Sequence, residues 1–116
     1  MKTIGFAFLC LCIGISVSAQ DFNADDIVGT WLTSDKTGEI TVYKDKNKYY
    51  GRITAGTSKE KFDIHNPDKQ RRNDPLIGMV ILKDLKFDSD DGVWEDGTVY
   101  DPQNGKRYSC NVKLID

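Results

Sequence analysis

Apolar and polar residues alternate from Lys106 to Leu114. Tyr108, Cys110, Val112 and Leu114 fall on one face, and Arg107, Ser109, Asn111 and Lys113 on the other. A period of two predicts a strand with one buried and one wet side. Residues 27–33 (IVGTWLT) form a β-rich run ending at the turn-prone Ser34-Asp35-Lys36-Thr37-Gly38. Residues 39–44 alternate again, with Ile40 and Val42 opposite Thr41 and Tyr43, and Asp45-Lys46-Asn47 predicts a hairpin loop into residues 48–54. Within 76–87 the run Met79-Val80-Ile81-Leu82 fits a strand buried on both faces; periodicity alone leaves a short helix open. After a turn at 88–92 come Val93-Trp94-Glu95, a tight turn at Asp96-Gly97, Thr98-Val99-Tyr100 and another turn at 101–105. Residues 21–26 have room for one helical turn capped by Asn23 or Asp25. Six or seven short strands and no helix of two turns predict an all-β antiparallel meander, as a sandwich or a barrel.

Two stretches break this pattern. Residues 55–74 (AGTSKEKFDIHNPDKQRRND) are polar and irregular, hold Asn66-Pro67 and run into Asp74-Pro75. Connections of that length are usually functional or mobile. At the other extreme, Lys2 precedes an uncharged apolar run over residues 4–17, then Val17-Ser18-Ala19 and the polar Gln20-Asp21. This order describes a secretory signal peptide cut after Ala19. A membrane anchor is the alternative, but a span needs about 20 apolar residues. The expected organisation is therefore a signal over 1–19 and one domain over 20–116, exported to the periplasm or beyond, with no membrane span after cleavage.

Cleavage changes the cysteine count. Cys10 and Cys12 leave with the signal, so Cys110 stands alone and no internal disulfide is available. A net charge of −2, with basic residues spread among acidic ones, gives no reason to expect nucleic acid as a partner.

Candidate chemistry is thin. Cys110 lies on an apolar face without a cation beside it on its strand, which suits packing rather than reaction. His65 is the single histidine, and with Asp63 and Asp68 it falls short of an ordinary metal set. Asp88-Ser89-Asp90-Asp91-Gly92 lacks the first and last ligands of a calcium loop. No metal, cofactor or catalytic residue is expected. Arg71 and Arg72 have the donors to hold a carboxylate or phosphate, and Trp94 and Tyr100 lead the aromatics that would line a cavity. Together with His65 these are the candidate ligand-binding residues.

Several motifs follow one another in order: Gly29-Thr30-Trp31, Asn66-Pro67-Asp68, Pro75-Leu76-Ile77-Gly78, Trp94-Glu95-Asp96-Gly97, and Tyr100-Asp101-Pro102-Gln103-Asn104-Gly105-Lys106-x-Tyr108-x-Cys110. The first looks like the Gly-x-Trp signature that opens lipocalin-type barrels. The series as a whole, over nearly all of residues 27–114, resembles DUF2147, a family of small exported bacterial proteins. The resemblance implies export and a lipocalin-like β fold, and supplies no activity. Family members usually continue past the Cys-x-x-x-Leu strand through further strands; here the chain ends at Asp116. The expectation is a lipocalin-like barrel of incomplete closure, whose C-terminal edge strand is open to a homodimer partner.

The function expected is binding of a small ligand or an envelope partner through the open end and the 55–74 loop. A structural or interaction protein with a filled core is the rival, and a hydrolase built on carboxylates is a third reading.

Overall fold

The computed structural model describes residues 2–3, 5–8, 22–34 and 36–114. Its strands are β1 (Lys2–Thr3), β2 (Gly5–Phe8), β3 (Gly29–Leu32), β4 (Gly38–Asp45), β5 (Lys48–Gly56), β6 (Val80–Asp88), β7 (Val93–Asp101) and β8 (Lys106–Lys113). They form one sheet in the order β1-β3-β4-β5-β6-β7-β8-β2. From β3 to β8 each strand pairs antiparallel with the next, so the six form an up-and-down meander. The helix left open around Met79 is not formed; β6 begins at Val80.

Alternation decides which side chains meet inside. Ile40, Val42, Leu82, Leu85, Val99, Cys110 and Val112 all turn inward and are buried. Asp96-Gly97 corrects the sequence reading. The dipeptide makes no turn but lies within the nine-residue β7. The β7–β8 register shifts between Trp94↔Val112 and Gly97↔Cys110, and the β6–β7 ladder, without changing register, skips Asp84-Leu85 and Asp96-Gly97. Both skipped aspartates are left-handed, at φ 62° and 63°. A Cβ on Gly97 would stand 2.6 Å from Leu85 Cδ2, so the glycine leaves room for that side chain. A left-handed residue followed by glycine serves a bulge as well as a hairpin, and here the bulge is used.

The meander does not close on itself, because β3 and β8 share no ladder among the described residues. The seam between them is filled by the chain's own start. β1 runs parallel to β3, pairing Lys2 with Trp31 and Thr3 with Leu32. β2 runs antiparallel to β8, from Gly5↔Lys113 to Phe8↔Cys110. β2 thus lies along the far edge of β8. The expected cleavage site at Val17-Ser18-Ala19 lies outside the described residues.

Antiparallel order gives the barrel two unlike ends. One end gathers the start of β3, the β4–β5 and β6–β7 turns and the 3-10 turn Ala24–Ile27. Indole Nε1 of Trp31 donates to the Ile27 carbonyl at 2.7 Å, and that of Trp94 to the Ala24 carbonyl at 2.9 Å. The Tyr49 hydroxyl donates to Asp25 Oδ1 at 2.5 Å. These three anchors stop this end. The opposite end gathers the β3–β4 turn, the 57–79 loop and the β7–β8 turn, and it is where the molecule is concave.

Candidate functional site

The 57–79 loop is folded, not slack. Phe62 bridges Pro75, the Asp63 amide donates to the Asp74 carbonyl at 2.9 Å, and the Leu76 amide donates to the Lys61 carbonyl at 3.0 Å. Its centre is Asp63, only 1% exposed. Asp63 Oδ1 accepts from the Tyr100 hydroxyl and Oδ2 from Asn66 Nδ2, each at 2.8 Å. Arg72 Nε donates to the Asn66 carbonyl at 2.8 Å. The β7–β8 turn closes against the loop at Gly105, whose φ is +72° and whose missing Cβ would strike the His65 carbonyl oxygen. Burial first, and then the bond to Asp63, pushes the Tyr100 hydroxyl up to about 12. It remains a donor at any physiological pH.

Two hollows flank this loop. The larger, about 580 Å³, is the barrel mouth, where Ile40, Ile53, Ile81, Leu76, Phe62 and Ile64 meet. Phe62, Ile64 and Ile77 are 49%, 40% and 54% exposed at its rim. The smaller, about 450 Å³, lies on the outer face of β6–β8 beneath the loop. It is lined by Asp63, Arg71, Asp74, Lys83, Tyr100 and Arg107 among others. Tyr100 and Arg107 are cross-strand neighbours, with the guanidinium 5.5 Å from the ring centre. Ile77 belongs to both hollows.

The five sequence candidates therefore scatter. Arg71 and Tyr100 meet in the outer groove, and His65 lines the mouth. Arg72 turns back onto its own loop. Trp94 is fully buried at the stopped end, packed on Phe87 with ring centres 4.9 Å apart. Among the described residues no three His, Cys, Asp or Glu side chains gather as metal ligands. Sequence reading passed over Phe62, Ile64 and Ile77, the apolar residues in a polar stretch that signalled the rim. It also missed Lys83 and Arg107, which face Tyr100's side of the sheet by alternation alone.

The profile of a bacterial family, described as an uncharacterized protein conserved in bacteria (DUF2147), matches residues 29–116. The chain belongs to DUF2147. The Tyr-Asp-Pro-Gln-Asn-Gly-Lys run has structural work in this DUF2147 chain, since it carries Tyr100 to Asp63 and Gly105 to His65. Among solved structures, the chain is similar to protein HP1028 from the human pathogen Helicobacter pylori, described as belonging to the lipocalin family. The two share 19% identity and a TM-score of 0.60 over 78% of this chain and 84% of that one. At that identity the likeness shows a lipocalin-like fold. No curated protein matches the chain.

Proposed function

We propose that this DUF2147 chain binds a small, largely apolar ligand in the barrel mouth, with the 57–79 loop as rim. The observation that carries the reading is that Phe62, Ile64 and Ile77 stand 40% or more exposed around one cavity of about 580 Å³. Exposed large apolar side chains gathered at a concavity mark a surface that gains by being covered. The volume lies in the range of small-molecule sites. Beneath the mouth, Leu82, Leu85 and Trp94 are fully buried, so the ligand sits at the end of the barrel and does not run down its axis. The role read here is binding, because apolar contact area dominates the rim. Residues 1–19 are read as an export signal, which makes the ligand one met in the envelope or outside the cell.

Titration with an anilinonaphthalene dye tests this. Saturable, one-to-one enhancement is expected, with affinity falling at least about tenfold in Phe62→Glu/Ile64→Glu, where two charges must be desolvated. Native mass spectrometry of the exported protein should show a bound small molecule. Flat dye titration together with a bare mass would favour the structural role, for which the filled lower core speaks.

A further inference from the structure

We propose that the outer-face groove is a second binding site, separate from the mouth, and that it takes a small carboxylate or phosphate anion. Alternation along β6, β7 and β8 brings Lys83, Tyr100 and Arg107 to one outer face. The loop adds Arg71 from the 3-10 turn Lys69–Arg71. The groove thus holds three cations in about 450 Å³.

Their local partners leave them available. Among the described residues, neither Lys83 nor Arg107 makes an ion pair within 4.0 Å. Arg71 reaches only Asp68, at 3.8 Å between side chains that are 67% and 55% exposed. Such a solvated pair is worth little and is readily exchanged for a better anion. Arg107 is steadied by the Tyr100 ring without losing its donors, since a cation over a ring face keeps its in-plane N–H groups free.

Two acids also line the groove, and they differ. Asp63 has both oxygens engaged, accepting from Tyr100 and Asn66, and it is almost wholly buried, so it is held away from an incoming ligand. Asp74 is not in an ion pair among the described residues and opposes a second anion. Three cations against two carboxylates leave a surplus of one positive charge, which suits a small anion.

The test is a set of amide chemical-shift titrations of the whole protein with sodium phosphate, sodium acetate and sodium chloride. Saturable shifts clustered at Lys83, Tyr100 and Arg107 are expected with phosphate, acetate or both, and the stronger of the two names the ligand class. Chloride at equal ionic strength should leave them unsaturated. Lys83→Gln and Arg107→Gln should each weaken binding about tenfold, the worth of one charge-assisted hydrogen bond. Asp74→Asn should tighten it. All three are surface changes, and an unaltered melting temperature certifies the fold. Equal response to chloride, absence of saturation up to tens of millimolar, or weaker binding in Asp74→Asn would overturn the proposal. Dye binding at the mouth reports separately, so either site can fail without the other.

Discussion

Trp94 and Trp31 do two jobs each: they fill volume, and their indole N–H groups satisfy carbonyls of the 3-10 turn Ala24–Ile27. Truncating Trp94 to Ala should cost about 3–5 kcal/mol, the range for large aromatic side chains in cores. Urea unfolding of Trp94→Phe beside Trp94→Ala would separate the hydrogen bond, about 0.5–1.5 kcal/mol, from the packing. Cys110 is 1% exposed, and burial pushes its thiol up to about 11. It should resist thiol reagents at pH 8 in the native protein and react once urea unfolds it. Tyr100 and Tyr49 are both raised above the ordinary value of 10.0, first by burial and then by the carboxylate each donates to. A raised folded value means stability that is whole below pH 10 and drains as pH climbs through about 12, the Tyr100 value. Tyrosinate absorbance should therefore rise together with loss of β-sheet circular dichroism. Two tyrosines titrating while the sheet stays intact would place those hydroxyls in solvent.

Elements were legible wherever one face is wet and the other dry. β4, β5 and β8 alternate, and the turn before β8 places Gly105 in left-handed backbone, so pattern and chemistry agree there, whereas the β4–β5 turn places Lys46 at φ 58°. Asp96-Gly97 was misread because the same two residues serve a hairpin and a bulge; what selects the bulge is Leu85, on another strand. The loop resisted reading for a related reason. Its centre is fixed by a bond between residues 37 positions apart, Tyr100 to Asp63, and local periodicity carries no trace of that. The same non-local fixing explains the mixed fate of the site candidates. Arginine pairs and aromatics were sought as types, whereas Arg72 and Trp94 are consumed by the scaffold and Lys83 and Arg107 gain meaning only from their strand neighbours. Gly105→Ala measures the loop's grip. A left-handed alanine costs about 1–2 kcal/mol, and its Cβ would also displace the His65 carbonyl. A loss larger than the backbone term alone, with faster exchange of the Asp63 amide, is expected. A neutral result would mean that the loop and the β7–β8 turn are not packed together.

At the scale of the molecule, the seam between β3 and β8 has a consequence for assembly. Residues 2–8 lie in it as a tethered guest, hydrogen-bonded to β3 at one end and β8 at the other. A tethered strand acts at an effective concentration on the order of millimolar. A strand from another chain has to exceed that before it can displace the guest, so the whole chain should sediment as a monomer at micromolar concentration. If export removes residues 1–19, the tether is cut and the competition changes sign. The edges of β3 and β8 that residues 2–8 cover are then left open to a strand from a second copy. A chain starting at Gln20 is accordingly expected to dimerise or lose solubility. The synthetic peptide of residues 2–8, added at millimolar concentration, should return it to monomer. If that chain is instead a stable monomer without the peptide, the seam closes by itself and the guest is dispensable. On this account, cleavage would do more than release the protein from its export route, because it would exchange an intramolecular partner for an intermolecular one.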